Sequence, residues 1–404
     1  METKKLSKIK KTVKGSIQIT GSKSESNRLL VLQQFYPNLK IENISNSDDS
    51  NVMQKALLSF ENVINIGHAG TAMRFLTAFY AVKENSEIIL TGSERMKNRP
   101  IKILVDALRD LGAEISYVEK EGFPPLNIKG KKLLNAEVEI DGNTSSQYIS
   151  ALLLIAASLE KGLKLRFKGK VTSVPYIKMT LCLLTDLGII HNWVDNLITV
   201  QPKKEIESKT IVVESDWSSA SYYYSLTALS PNSEIEISSY KKDSLQGDSV
   251  LAEIYSNLGV ETNYQNNSLF LKNTGKINSE YFEELNLINA PDIAQTIVVT
   301  CFGLGIGCYL TGLHTLKIKE TDRLVALKNE IEKLGGNVEI TNKTLYLNDS
   351  SKIEQNIAIS TYDDHRMAMA FAPLATKVSI FIEDAKVVSK SYPTFWEDFN
   401  KITR

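Results

Sequence analysis

The chain has 404 residues, so at roughly 150 residues per domain it is expected to form two or three domains with sizeable cores. Hydrophobic residues make 43% and charged residues 23%, the balance of an ordinary globular protein rather than a disordered or disulfide-stapled one. Lys plus Arg equals Asp plus Glu at 47 each, which leaves no global positive field for sequence-independent nucleic-acid binding. Any anion must be bound locally. Three cysteines, Cys182, Cys301 and Cys308, are too few for a disulfide framework, and none has metal-ligand spacing, so the reading is a reducing, cytoplasmic compartment.

In chain order, Met1 to Gly15 is basic, but no apolar run or small-residue cleavage site follows, so no signal peptide is expected. Gly21-Ser22-Lys23-Ser24-Glu25-Ser26-Asn27-Arg28 opens a helix running toward Gln34, with small residues whose backbone N–H groups suit an anion. Gly67-His68-Ala69-Gly70-Thr71-Ala72-Met73-Arg74 leads into an apolar helix in the same way. Arg95-Met96-Lys97-Asn98-Arg99-Pro100 sets three cations in five residues just before another helix, with Pro100 read as a first-turn residue. Thr144-Ser145-Ser146-Gln147 leads into Tyr148 to Leu159, and the uncharged apolar stretch Ala151 to Ser158 is far short of the ~20 residues of a bilayer span. Asp292 precedes an apolar run, where an N-cap is as good a reading as a catalytic acid. Lys319-Glu320-Thr321-Asp322-Arg323 would place Lys319 and Arg323 on one face if helical. Tyr362-Asp363-Asp364-His365-Arg366 sets Arg366 beside an acid pair, with His365 open to a structural role, and Lys390 supplies a cation near the end. Each segment alone reads as a helix cap or a charged surface. So many together argue for clustered anion binding.

One phrase also repeats: an amphipathic helix closing in Leu-Gly, a strand, a polar turn and a second strand. The copies are Ile101 to Ile128, Ile177 to Val200, Leu251 to Leu271 and Arg323 to Leu347, and their glycines, Gly112, Gly188, Gly259 and Gly335, lie 76, 71 and 76 residues apart. Each Gly sits where a helix C-cap favours positive φ. Hairpin turns are expected at Asp195-Asn196, Asn266-Asn267 and Asn342-Lys343. Weaker copies around Val52 to Ile66 and Met367 to Ile382 bring the expectation to six βα-rich units, an α/β protein in two similar lobes.

The set of segments resembles the 5-enolpyruvylshikimate-3-phosphate (EPSP) synthase family. The resemblance rests on Gly-Ser-Lys-Ser at 21 to 24 with Arg28, Ala-Gly-Thr-Ala-Met-Arg at 69 to 74, Arg-Met-Lys-Asn-Arg-Pro at 95 to 100 and Ser-Ser-Gln at 145 to 147. It continues through Pro-Tyr-Ile at 175 to 177, Pro-Asp at 291 to 292, Lys-Glu-Thr-Asp-Arg at 319 to 323, Asp-His-Arg-Met-Ala at 364 to 368 and Lys-Ser-Tyr-Pro at 390 to 393, in family order along nearly the whole chain. It implies an α/β fold of two lobes, an inverted α/β barrel with three βαβαββ repeats in each. One lobe would be residues 22 to 213, the other 1 to 21 joined to 214 to 404, with the active site in the cleft between them.

The resemblance further implies transfer of the enolpyruvyl group of phosphoenolpyruvate to the 5-hydroxyl of shikimate 3-phosphate, with no metal and no organic cofactor. Two substrates that each carry a phosphate and a carboxylate need several fixed cations. By resemblance, phosphoenolpyruvate falls to Lys23, Gly70, Arg99, Gln147, Arg323, Arg366 and Lys390. Shikimate 3-phosphate falls to Lys23, Ser24, Arg28, Ser145, Ser146, Gln147, Ser173, Asp292 and Lys319. Asp292 is assigned to the hydroxyl proton, Glu320 to the proton at C3, and Lys23 to proton shuttling or to the leaving phosphate, while the half-reaction served by each acid stays open. Gly70 implies competition of glyphosate with phosphoenolpyruvate. The chain departs from the family pattern at His68, Phe75 and Thr315. The partners implied are small molecules, with no nucleic acid and no membrane, acting on a monomer. Two other readings remain at this point: an enolpyruvyl transferase acting on UDP-N-acetylglucosamine, and a non-catalytic anion-binding protein on the same fold.

Overall fold

The computed structural model describes residues 2–171 and 174–403. The four phrases that close in Leu-Gly belong to four copies of one four-stranded sheet. In the first, Val63–Asn65 runs parallel to Glu87–Thr91, and the hairpin Glu114–Tyr117/Leu126–Lys129 adds antiparallel through its second strand. Glu137–Asp141, Leu163–Lys168, Leu197–Val200 and His191–Val194 repeat that order. So do Leu285–Asn286, Cys308–Thr311, Leu345–Leu347 and Val338–Ile340. In the fourth copy the first strand comes from the N-terminal segment: Lys14–Gln18 lies parallel to Glu234–Ser238, which carries Ser268–Ile277 and then Leu258–Gln265. A parallel pair needs a crossover, and here the helices Gly70–Val82, Ser146–Ala156 and Ala294–Leu304 supply it.

Two partial copies complete the set. Leu39–Glu42 pairs with Lys209–Val212, and Ile357–Ile359 pairs with Ile380–Ile382, to which Lys4–Leu6 adds antiparallel. Every sheet is open, with two to four strands, and among the described residues none closes into a barrel. The chain divides into two compact units, Met1–Thr20 with Glu214–Arg404, and Gly21–Val213. Each has its own apolar core. The helices Ser146–Ala156 and Ala294–Leu304 are buried on nearly every face, which explains why their sequences carry no polar stripe.

The Leu-Gly signal works through its backbone. Gly112, Gly188, Gly259 and Gly335 all have positive φ, from 67° to 104°. At three of them the next residue donates to the carbonyl five back: Ala113 to Leu108 at 2.9 Å, Ile189 to Leu184 at 2.9 Å and Gly336 to Ile331 at 3.0 Å. This is the Schellman closure, and it releases the chain directly into the following strand. The hairpin at Asn266-Asn267 turns with φ of 50° and 58°, and Asp195 turns with 47°, as polar two-residue turns require. Asn342-Lys343 sits inside a four-residue loop closed by Thr341 and Thr344.

Two local expectations are corrected. Pro100 precedes the N-cap Ile101 of the helix Lys102–Asp110, and the residues before it form a short helix of their own, Glu94–Lys97. Lys319 is extended, with ψ −150°, after the turn His314–Ile318, while Arg323 begins its helix behind the N-cap Asp322. Asp322 wins that boundary because its carboxylate accepts from the N–H groups of Leu324 and Val325.

Candidate active site

In the unit Gly21–Val213, Lys23 is the first residue of the helix Lys23–Phe35, and its Nζ stands 3.1 Å from Asp49 Oδ2. Asp49 lies in the first turn of Asp48–Leu57, started by the N-cap Ser47. Arg28, one turn on, is buried at 2% exposure. Its Nε donates to Thr180 Oγ1 at 2.8 Å, one terminal nitrogen to the Ser24 carbonyl at 2.7 Å and the other to Ser150 Oγ at 2.9 Å. Its guanidinium also faces the rings of Phe75 and Tyr176. Burial lowers the Arg28 pKa to about 10, which still leaves it charged at neutral pH. Arg28 thus fixes the backbone of Ser24 beside Lys23.

Gly70 opens the helix Gly70–Val82, and a β-carbon placed on it would meet Arg99 Nη1 at 2.6 Å. The Arg99 guanidinium therefore lies directly on the glycine, and among the described residues it has no hydrogen-bond or ion-pair partner. Beneath it, Arg74 donates to the Gly70 carbonyl at 3.0 Å and faces the Tyr148 ring. Burial, then the charge of Arg99, lowers its pKa to about 10. Ser145 caps Ser146–Ala156, and Gln147 Nε2 donates to Thr71 Oγ1 at 3.1 Å, which brings the Gly70 helix and the Ser-Ser-Gln segment together. Ser173 lies outside the described residues. His68, a departure from the family pattern, pairs through Nδ1 with Ser93 Oγ at 2.8 Å, on the N-cap of Glu94–Lys97.

In the other unit, Asp292 is a hub in the turn Pro291–Ile293, so the N-cap reading is set aside. Its Oδ1 stands 2.8 Å from Arg323 Nη1 and 3.3 Å from Lys319 Nζ, and its Oδ2 stands 3.4 Å from Arg366 Nη2. Lys319 and Arg323 meet through this carboxylate, not along a helix face. Arg323 is 1% exposed and every guanidinium nitrogen is paired: Nη1 to Asp292, Nη2 to Glu320 at 2.8 Å, Nε to Asp364 at 2.7 Å. Burial opposes its charge, but Asp364, Glu320 and Asp292 outweigh burial and hold the pKa above the ordinary value. Arg366 follows the same pattern, burial outweighed by Asp292 first among the acids around it.

Asp364 also starts the helix His365–Phe371, where its Oδ1 accepts from the Arg366 N–H at 2.9 Å. Just before it, Tyr362 and Asp363 both sit at φ 55°, a left-handed pair that costs on the order of 1–3 kcal/mol per residue. Buried Glu330 holds that turn by accepting from Tyr362 OH at 2.6 Å and Ser360 N at 3.1 Å, and Lys390 Nζ donates to the Asp363 carbonyl at 2.6 Å. His365 is buried with Nδ1 3.9 Å from Asp364 Oδ1. Thr315, another departure, has a buried hydroxyl with no hydrogen-bond partner among the described residues.

Sequence reasoning missed Asp49 and Glu330, which carry no local signal beyond ordinary helix faces, and it read Thr71 as part of the Ala-Gly-Thr-Ala-Met-Arg segment but not as the partner of Gln147. Asp364 was legible only as a member of an acid pair, not as a partner of Arg323. Cys301 and Cys308 are buried in the core and Cys182 is half-buried, with burial pushing its thiol pKa up, so none resembles a reactive thiolate. Among the described residues no group of three or more His, Cys, Asp or Glu is placed to hold a metal ion.

The chain is similar to known proteins along nearly its whole length. The chain is 47% identical over 394 residues to the 3-phosphoshikimate 1-carboxyvinyltransferase of Bacteroides fragilis strain ATCC 25285, covering 96% of this chain and 95% of the relative. It is 36% identical over 431 residues to the enzyme of the same name from Haemophilus influenzae strain ATCC 51907, covering 96% of each. Among solved structures it superposes on an EPSP synthase from Acinetobacter baumannii with a TM-score of 0.79 at 19% identity, covering 100% of this chain and 98% of that one. The enolpyruvyl transferase NikO from Streptomyces tendae shares the fold at a TM-score of 0.71 and 13% identity, covering 99% and 97%. Residues 38–399 match the family model for EPSP synthase (3-phosphoshikimate 1-carboxyvinyltransferase), and the chain belongs to that family.

Proposed function

We propose that the chain transfers the enolpyruvyl group of phosphoenolpyruvate to the 5-hydroxyl of shikimate 3-phosphate, releasing EPSP and inorganic phosphate, a step of the shikimate pathway to aromatic amino acids. The hydroxyl oxygen attacks C2 while C3 gains a proton, giving a tetrahedral intermediate. C3 then loses a proton, the double bond re-forms and the C2–O bond to phosphate breaks. One group must accept the hydroxyl proton and another must serve C3. The observation that carries this reading is that Arg323 holds Asp292 and Glu320 on its two terminal nitrogens at 2.8 Å each. Two carboxylates with different roles are thereby fixed side by side by a guanidinium that stays charged throughout. Asp292 takes the hydroxyl proton and Glu320 serves C3.

Lys23, Arg99, Arg323, Arg366 and Lys390 receive phosphoenolpyruvate, with Gly70 giving close approach and Gln147 oriented by Thr71. Ser24, Ser145, Ser146 and Lys319 receive shikimate 3-phosphate together with Arg28, whose bond to the Ser24 carbonyl also presets that backbone, and Ser173 completes the set. Lys23 assists the departing phosphate. The enzyme works as a cytoplasmic monomer. No described helix is long and apolar enough to cross a membrane.

Phosphate release from phosphoenolpyruvate, followed with and without shikimate 3-phosphate, tests the reading. Release that depends on shikimate 3-phosphate and is lost in Asp292→Asn and Glu320→Gln is expected. Binding of both anions without release would overturn it.

A further inference from the structure

Asp248 belongs to none of the motifs, yet its carboxylate is 5% exposed in the turn Gly247–Val250 behind Arg366. Its Oδ2 accepts the hydroxyl hydrogen of Ser218, and its Oδ1 has no hydrogen-bond partner among the described residues. The oxygen of Ser218 accepts in turn from Arg366 Nη2 at 3.3 Å. Arg366 also faces Asp292, 3.4 Å from its carboxylate and 3.1 Å from its carbonyl. The charged groups facing Asp248 are Asp292, Asp216 and Arg366. Asp292 is also met by Arg323 and Lys319, but among the described residues Arg366 is the one cation that reaches Asp248, through Ser218, and it does so while sharing Asp292 and lying in the field of Asp216.

A buried carboxylate with one bare oxygen and two acids beside it is a costly anion, and a proton on Oδ1 relieves it. Burial first, and Asp292 next, push the Asp248 pKa up to about 7, against the lowering effects of Arg366 and the Ser218 hydroxyl. Anion binding at Arg366 adds negative charge to the same neighbourhood and competes for the same guanidinium. We propose that Asp248 is a positioning residue that takes up a proton when a substrate anion binds Arg366, so that the site gains positive charge as it loads. This rests on the reading that Arg366 receives phosphoenolpyruvate. The anion itself changes in the opposite sense, since a phosphate bound to cations gives up a proton, so uptake marks the protein group.

The test is calorimetric titration of the full chain with phosphoenolpyruvate at pH 7.5, in two phosphate-free buffers of different ionisation enthalpy, for the wild type and Asp248→Asn. The wild type is expected to take up at least about half a proton more than Asp248→Asn does. Equal proton counts would overturn the proposal. Should Asp248→Asn fail to fold, the wild type alone decides: net uptake must peak somewhat above pH 7, vanish toward pH 10 and give way to the phosphate's own release toward pH 5, and a count without that peak overturns it. Phosphate release on the same samples separates the two readings. Turnover with equal proton counts removes the role of Asp248 and leaves the reaction standing, whereas no turnover and no binding heat removes the reaction.

Discussion

Arginines are buried in both units, but they are kept charged by opposite means. In Gly21–Val213, Arg28 and Arg74 are held by hydroxyls, carbonyl oxygens and aromatic rings, and Arg99 lies on a glycine. In the other unit, Arg323 and Arg366 are held by Asp292, Glu320 and Asp364. Neutral partners orient a guanidinium without cancelling its charge, which leaves that charge for an incoming anion. Carboxylate partners offset part of it, and the guanidinium is also a frame that holds acids in place. On the roles proposed above, Arg99 serves binding alone, whereas Arg323 and Arg366 serve binding and also hold the acids that move protons.

The strongest attempt to break that contrast removes the framed acids. Asp292→Asn and Glu320→Gln should each lower kcat by about 10²–10⁴ while the KM for phosphoenolpyruvate moves far less, measured by steady-state phosphate release. An effect confined to KM would erase the division. On the binding side, Arg99→Gln should raise the KM for phosphoenolpyruvate by about 10–100-fold with most of kcat recovered at saturation, and Arg99→Lys should rescue only part of it. Gly70→Ala pushes the Arg99 guanidinium off its seat and should raise the same KM by roughly tenfold, with a parallel loss of glyphosate inhibition.

Protonation sharpens the contrast further. The Asp248 pKa is raised from the ordinary value of 3.8 to about 7, so the folded chain binds the extra proton between these limits. Its contribution to stability is complete below pH 4 and is lost as the pH rises through 7. Asp248→Asn should therefore melt a few degrees above the wild type at pH 8, with the gap closing toward pH 5 in thermal denaturation. The smallest effect belongs to Lys97, inside the same Arg-Met-Lys-Asn-Arg motif as Arg99 but already paired with Glu119 at 2.9 Å and Glu94 at 3.3 Å. Lys97→Ala should change the KM for phosphoenolpyruvate by less than about twofold, and a larger change would show that motif membership, not pairing, governs the charge.

The repeat was legible because Leu-Gly is a backbone instruction: the apolar residue seats the last helical turn and the glycine accepts positive φ, so period and topology follow from local chemistry. The cations of the site were legible for a similar reason, since Gly, Ser and Thr around Lys23 or Gly70 mark helix starts. The acids that frame Arg323 were legible only in part. Glu320 is its near neighbour, but Asp292 and Asp364 lie 31 and 41 residues away in sequence and reach it through the fold. Lys319 illustrates the cost of a local rule, since the i, i+4 spacing predicted a helical pair and the Asp322 cap placed the helix start beyond it. Asp248 shows no sequence signal, because its pKa is set by burial and by Asp292, neither of which a local pattern records.

The most direct test of the division compares Arg99→Gln with Glu320→Gln in shikimate 3-phosphate-dependent phosphate release as phosphoenolpyruvate is raised to saturation. The account predicts that the Arg99 variant climbs back toward the wild-type rate while the Glu320 variant stays at least about 100-fold below it at every concentration. Recovery of both variants, or of neither, would contradict it.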